Sequence, residues 1–314
     1  MLLSNRQLVN FADSRLDMPP RASLLMLLGR RLVLPECIQA GVQLYCHALD
    51  GGLDLHGQRC DLFYLTRMLL EAPTAEALAA KQESVCSDWI DHDAGLVVVR
   101  RSDQRGRCWE LAVKGGHNAE PHNHNDCGSF LLNLDGERLA IELGAPEYTS
   151  DTFGPKRYSL LATRSSGHSV PIVNGLEQAA GLKFDAKLLA VEAGSSEVRV
   201  QLDLTRAYPE EAGHERVLRT IELNIAAGVL RVKDELWGPP GLVLQSVLMS
   251  PTEQMESLGL QPLEDTELNS VEALFYRDNR GEDKLVYRWL FRLNEQSSLS
   301  HGGRNYSVGY QISQ

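Results

Sequence analysis

The spacing of apolar and polar residues changes near residue 88 of the chain. Before that point, apolar residues recur at the spacing of amphipathic helices. They do so over 21–33, over 36–49, where Gly51-Gly52 ends the pattern, and over about 60–71. The segment 1–88 is therefore predicted to be helical.

From residue 89 onward the chain consists of short alternating or apolar runs separated by turn residues. The runs cover 95–101, 108–113, 129–134, 138–143, 169–173, 188–193, 198–204, 217–225, 229–237, 242–249, 273–276, 285–293 and 307–312. Many short strands at close spacing are typical of an antiparallel sandwich. The predicted fold class is α+β, with a helical segment, 1–88, followed by a large antiparallel β-sandwich, 89–314.

A hairpin is predicted where Asp135-Gly136 separates the runs 129–134 and 138–143. Asp-Gly is a strong signal for a two-residue hairpin turn, because both residues tolerate a left-handed backbone. Pairing of the two runs would return Glu142 to the start of the first strand, close to His124.

The candidate site residues are concentrated in the block His122-Asn-His124-Asn-Asp126, directly before the hairpin. In an extended segment residues i and i+2 share a face, so the two imidazoles would project side by side. Asn and His have low strand propensity, and their polar groups need hydrogen-bond partners when buried. Their presence here therefore favours a functional site over an ordinary strand. With His168 further on, His124, Glu142 and His168 form a two-His, one-carboxylate set, common for zinc and for non-haem iron.

Composition limits the class of partner. The chain has 314 residues, 43% hydrophobic and 23% charged, which is ordinary for a globular protein. No apolar run reaches the ~18 residues of a membrane span, and the N-terminus lacks a signal-peptide pattern, so no membrane partner is expected and localisation stays open. The net charge of −11 argues against nucleic acid. The six cysteines lack CxxC spacing and are predicted to be free, mostly buried thiols.

Several short stretches, taken together, resemble one family. They are 10–13 (NFAD), 95–100 (GLVVVR), 114–116 (KGG), 122–130 (HNHNDCGSF), 141–144 (IELG), Tyr148, Tyr158, 168–169 (HS), 174–175 (NG), 214–216 (HER) and 230–234 (LRVKD). In this order they resemble the heparinase II/III-like polysaccharide lyases, which include oligoalginate lyases. The resemblance extends over roughly residues 8 to 240.

The resemblance implies a helical toroid followed by a β-sandwich, with the active site in the cleft between them. His122 would lie at the cleft, while His124, Glu142 and His168 would hold one structural metal ion, usually zinc. The family more often has Asp where this chain has Glu142. Its toroid is much longer than 1–88 and carries an Asn, a His and a Tyr of the active site. The chain is therefore expected to be a piece of a longer or split protein, or a non-catalytic relative.

The resemblance also implies an acidic polysaccharide or oligosaccharide as partner, cleaved by β-elimination at a uronate. That reaction needs neutralisation of the uronate carboxylate and a positioned acid and base. His122 and Tyr158 are the catalytic candidates, although Tyr158 also fits a packing residue at a strand edge. Arg157 and Arg164 are candidate bidentate ligands of carboxylates, or else a solvated surface pair.

Two other functions remain open from the sequence. One is a non-catalytic, metal-stabilised β-sandwich that binds a glycan. The other is a cupin-type metal enzyme, although in cupins the Glu follows the second His within a few residues.

Separate roles for His122 at the cleft and His124 at the metal would need a bulge or twist of the backbone near Asn123. With most of the toroid absent, little or no lyase activity is expected of the isolated chain, and a homo-oligomer or a separate toroid partner is possible.

Overall fold

The structure, a computed structural model, describes residues 9–14, 22–50, 66, 70–74, 88–293 and 305–314. Its helices are α1 (Ala22–Leu32), α2 (Pro35–Asp50) and a single turn, α3 (Met255–Leu258). The first two confirm the helical spacing in the sequence. The predicted helix over about 60–71 lies almost entirely outside the described residues. No helix in the described part of the chain is both long and apolar enough to span a membrane.

Glycines allow α1 and α2 to approach closely. A Cβ atom on Gly41 would lie 2.5 Å from Cγ of Met26, and one on Gly29 would lie 2.7 Å from Cγ1 of Ile38. This contact buries Met26 completely and Val42 almost completely. The helical pair therefore has a small apolar core of its own.

The described part of the chain also contains sixteen strands. They are β1 (Trp89–Asp91), β2 (Leu96–Ser102), β3 (Cys108–Lys114), β4 (Gly116–Asn118), β5 (Phe130–Leu134), β6 (Glu137–Ala140), β7 (Ile172–Val173), β8 (Gly181–Ala193), β9 (Glu197–Asp203), β10 (Arg216–Asn224), β11 (Val229–Trp237), β12 (Leu244–Ser250), β13 (Leu260–Pro262), β14 (Thr266–Arg277), β15 (Asp283–Leu293) and β16 (Asn305–Ser313).

The strands form three antiparallel sheets, with the orders β1-β2-β3-β5-β6, β13-β16-β11-β10-β9-β8-β4 and β14-β15-β12-β7. One continuous apolar core contains side chains from all three sheets, among them Trp109, Ile221 and Phe291. The predicted class, a helical part followed by an antiparallel β-sandwich, is therefore confirmed.

The hairpin that leads to the candidate site forms as predicted. Asp135 and Gly136 both have positive φ, 50° and 83°, which is the conformation a type I′ turn requires. The second strand is shorter than expected. It ends at Ala140, because the backbone N–H of Ile141 donates to Met249 of β12 instead. Glu142 therefore lies in a loop beyond the hairpin.

Both faces of the five-stranded sheet are covered. Val97 and Val99 of β2 face the main core. Val98 points to the opposite face and packs with Ala112, Leu131 and Phe11. Burial of Phe11 holds the segment 9–14 on this outer face, which brings Asp13 to the loop that precedes β5.

Two expectations from the sequence need correction. The predicted strand 169–173 is reduced to Ile172–Val173. The Oγ atom of Ser169 accepts a hydrogen bond from the Met249 backbone, so this part of the chain bonds through a side chain rather than as a ladder. The cysteines were expected to be mostly buried, but of the four described ones only Cys127 is buried.

Candidate functional site

The paired histidines lie in the loop between β4 and β5, not in an extended segment. His122 has φ of 62°, in the left-handed region that residues with a side chain seldom adopt. This change of direction separates the two imidazoles. The side chain of His122 is 54% exposed, whereas that of His124 is fully buried. The irregularity that separate roles require is therefore present, one residue before Asn123.

Asp13 joins the two histidines. Its Oδ2 atom lies 3.0 Å from Nδ1 of His122, and its Oδ1 atom lies 2.9 Å from Nε2 of His124. The hydroxyl of Tyr148 donates to Oδ2 at 3.1 Å, and the Arg157 guanidinium donates to Oδ1 at 3.2 Å. With its side chain only 3% exposed, Asp13 is the buried centre of this hydrogen-bond network.

The bond to Asp13 defines what each histidine can do. A carboxylate only accepts hydrogen bonds, so a neutral His122 carries its proton on Nδ1 and keeps a lone pair on Nε2. Since its side chain is half exposed, this nitrogen can meet a ligand. In His124 the proton lies on Nε2 instead, which leaves the Nδ1 lone pair in the protein interior.

Behind His124 lies a buried group that could hold a metal ion. One ligand atom each from His124, Asp126 and His168 lies within 4.8 Å of the others, and all three residues are buried. Nδ1 of His124 and Oδ2 of Asp126 have no hydrogen-bond partner within the described part of the chain. Unpaired buried acceptors are unfavourable, and a cation between them would satisfy both. The residues present therefore fit a divalent metal.

Glu142 adjoins this group through His168. Its Oε2 atom lies 2.6 Å from Nδ1 of His168, and its other oxygen accepts from the Ser129 hydroxyl. Nε2 of His168 lies 3.0 Å from the Ala162 carbonyl and Nδ1 faces Glu142, so Nδ1 could bind a metal ion only by giving up its bond to Glu142. The hairpin does return Glu142 toward the histidines as predicted, but it contacts His168 rather than His124. Asp126 was not among the predicted metal ligands.

Burial and neighbouring charges shift the pKa values of His124, His168 and Asp126 in different directions. Burial lowers the pKa of His124 to about 4, which keeps the imidazole neutral, the form that binds metals. Burial alone would also lower the pKa of His168, but the Glu142 carboxylate outweighs it and raises the pKa. For Asp126, burial opposes ionisation, while the buried Lys114 ammonium outweighs it and lowers the pKa of the carboxyl.

Two buried side chains fix the loop after Asp126. The amide of Gln178 bonds both backbone groups of Cys127, at 3.0 Å to the N–H and 2.6 Å to the carbonyl. Arg219 of β10 donates to the carbonyls of Gly128 and Ser169, residues that flank the candidate metal group. The main sheet therefore supports both loops that carry the histidines.

The other predicted site residues have different surroundings. The hydroxyl of Tyr158 donates to Oδ1 of Asn123 at 2.9 Å, one residue from His122. Arg164 is exposed and forms a two-pronged ion pair with Glu177. Arg157 is buried, and its guanidinium donates to Asp13 and to the carbonyls of Thr152 and Asn123. Because these protein groups already occupy most of its N–H donors, the role of Arg157 as a ligand of glycan carboxylates stays a prediction.

Sequence reasoning missed two members of the site, Asp13 and Tyr148. Both are far from the histidine block in sequence, and each contacts His122 directly. The signal for Asp13 was its place in NFAD, which served only to support the resemblance. Tyr148, like Tyr158, was one residue of the resemblance, and no pattern marked it as a member of the site.

Comparison with known proteins defines the class. The site is a buried His-Asp-His group that fits a metal ion, beside an exposed histidine, on an antiparallel sandwich. The sequence model described as Heparinase II/III-like, C-terminal matches residues 91–306. Since this is more than half of the chain, the protein belongs to the Heparinase II/III-like C-terminal family. No curated protein matches the chain.

Solved structures share the fold at low sequence identity. The heparan sulfate lyase HepC from Pedobacter heparinus superposes with a TM-score of 0.62 at 13% identity, covering 99% of this chain and 44% of that chain. A heparinase III structure gives a TM-score of 0.51 at 12% identity, covering 92% of this chain and 59% of that one. The chain thus spans about half the length of these proteins.

Proposed function

We propose that the protein acts on uronic-acid-containing glycans as part of a polysaccharide lyase that works by β-elimination. The observation that carries the proposal is the division of the histidine pair. His122 is exposed and held by Asp13, while His124 faces a buried, metal-competent group. Family membership supports the class of polysaccharide lyases. The similar structures are named as a heparan sulfate lyase and a heparinase III, which supports an acidic glycan as the ligand. The family match gives no support to a cupin-type enzyme.

In this proposal His122 meets the uronate. Abstraction of the proton α to the carboxylate, and expulsion of the 4-linked oxygen, require that the carboxylate charge be neutralised. An imidazole whose Nδ1 is fixed by Asp13 presents Nε2 in one orientation, as base or, when protonated, as a cation. Tyr158, bonded to Asn123 next to His122, is proposed as the second proton-transfer group. Arg164 could bind a glycan carboxylate if it exchanged Glu177 for it.

The buried group is proposed to hold one zinc ion. His124, Asp126 and His168 would bind it, with Glu142, already in contact with His168, as the fourth donor. Two imidazoles and two carboxylates match the coordination number and ligand types of structural zinc. When bound, the ion would cross-link the β4–β5 loop to the loop that carries His168.

Binding to a glycan panel tests the function. Calorimetry with alginate, heparan sulfate and hyaluronan oligosaccharides, and with neutral dextran as a control, should show binding of at least one uronate glycan and none of dextran. Ultraviolet absorbance of the unsaturated uronate product, recorded on the same samples, reports turnover. Failure to bind any of the three uronate glycans would refute the proposal.

The same panel separates a lyase from the non-catalytic alternative. Slow product formation that disappears in Tyr158→Phe supports the lyase. Tight binding with no product, even when the protein is mixed with the toroid of a related lyase, favours a metal-stabilised glycan-binding sandwich instead.

A further inference from the structure

Three aromatic side chains are in mutual contact on the surface beside the candidate site. We call His122, Tyr148 and Phe153 the aromatic cluster. The ring centroids of Tyr148 and Phe153 are 5.0 Å apart, and those of His122 and Phe153 are 5.1 Å apart, both with near-perpendicular rings. His122 and Tyr148 are stacked at 6.3 Å. Phe153 is 58% exposed and Tyr148 50% exposed.

The loop that carries Phe153 is held in place. The backbone N–H of Thr149 donates to the Thr152 hydroxyl at 2.8 Å, and the N–H of Gly154 donates to the Asp151 carbonyl at 3.2 Å. The guanidinium of Arg157 lies 5.4 Å from the centre of the Phe153 ring and donates to the Thr152 carbonyl. These contacts hold the loop in a conformation that leaves the Phe153 ring exposed.

Exposed rings next to polar groups suit a ligand with both apolar and polar surfaces. A lone exposed Phe needs no explanation, but contiguous exposed rings that adjoin a functional group are typical of binding sites. A pyranose offers C–H groups on its faces and hydroxyls at its edge. The ring of Phe153 can contact the face, while the Tyr148 hydroxyl and His122 are near enough to contact the edge.

Charge alone cannot supply the affinity for an acidic glycan. The chain carries a net charge of −11, which repels a polyanion at long range. Of the two arginines predicted to bind carboxylates, Arg157 is buried and bonded to Asp13, and Arg164 is paired with Glu177. An acidic glycan would therefore need contacts that do not depend on the net charge, and stacking on aromatic rings is one.

We propose that Tyr148 and Phe153 form a stacking subsite for the sugar ring adjacent to the uronate at His122. The separation of the His122 and Phe153 rings is comparable to the advance of one sugar along a glycan. The subsite rests on the proposed function, since it takes His122 as its neighbour. Its occupant is a pyranose of the glycan and not a protein segment, because the cluster is continuous with the polar groups of the site.

Substitution of Phe153 tests the subsite. Calorimetry with uronate oligosaccharides of increasing length should show that Phe153→Ala weakens binding of the longer ones about tenfold and leaves a single uronate unaffected. Phe153→Trp should keep the affinity, whereas Phe153→Leu, which retains apolar area without a ring, should lose it. Phe275→Ala is the matched control, since Phe275 is 70% exposed on β14, outside the cluster.

Each other outcome counts against the subsite or against the proposed function. If Phe153→Ala and Phe275→Ala change the affinity equally, or neither does, the subsite is refuted while the function stands. If binding depends on Phe153 but only neutral oligosaccharides bind, the subsite stands and the uronate function fails. If wild type binds no glycan, both fail. A change of oligomeric state in Phe153→Ala, seen by light scattering, without a change in glycan affinity would assign the cluster to a protein interface.

Discussion

Replacement of Arg219 by Met should destabilise the fold strongly and loosen the candidate site. Arg219 of β10 and Asp234 of β11 are directly opposed across the sheet, both side chains are 0% exposed, and they face the main core. The guanidinium bonds the carboxylate twice, at 2.7 and 2.8 Å, and also donates to the carbonyls of Gly128 and Ser169.

The expected magnitude follows from what the substitution leaves behind. Asp234 would remain as a buried carboxylate with the hydroxyl of Ser246, 2.5 Å away, as its partner. Breaking a buried ion pair in this way costs about 3–5 kcal/mol. The two carbonyls also lose their donor, which costs roughly 1 kcal/mol each. Because such terms do not add, a loss of about 4 kcal/mol in the free energy of unfolding is expected.

Denaturant unfolding followed by tryptophan fluorescence measures this loss. The double variant Arg219→Met with Asp234→Leu removes both charges and should recover most of the stability. Arg292→Met is the surface control, because its ion pair with Glu267 is exposed and should contribute at most about 1 kcal/mol. A loss below about 1 kcal/mol for Arg219→Met, or no recovery in the double variant, would refute this account of the core.

Two further substitutions probe the site. Asp13→Ala should lower the affinity for zinc about 10–100-fold, because His124 loses the carboxylate that orients it. Asp103→Ala, a change in the turn between β2 and β3, should leave the affinity unaltered, and competition with a chromophoric chelator measures both values. Asp126→Asn should weaken zinc binding more than Glu142→Gln in the same assay, because Oδ2 of Asp126 has no hydrogen-bond partner among the described residues. The reverse order would show that Glu142 is the primary carboxylate ligand.

The sandwich could be predicted from the sequence because alternation of apolar residues directly reports a sheet with one buried face. Val229–Trp237 occurs with the predicted bounds, and Asp135-Gly136 forms the predicted turn. Arg219 shows the limit of this reasoning. It stands in phase with the inward residues Val217 and Ile221, yet its partners, Asp234 and two loop carbonyls, depend on how the sheets meet.

The candidate site could be predicted only where its members are close in sequence or joined by a hairpin. His122 and His124 were evident as a pair, and the turn at Asp135-Gly136 carried Glu142 back toward them. Asp13 reaches the same place because Phe11 is buried on the five-stranded sheet, a contact that no local pattern reveals. The separation of the two histidines likewise depends on the positive φ of His122.

The most direct test of the account compares His122→Ala with His124→Ala. Metal content by inductively coupled plasma mass spectrometry and glycan affinity by calorimetry are measured on both variants. His122→Ala should keep one equivalent of zinc and a near-normal melting temperature but lose glycan binding, whereas His124→Ala should lose the metal and melt earlier. If His122→Ala also strips the metal, the two histidines act as one chelating pair, and the division of roles proposed for them is wrong.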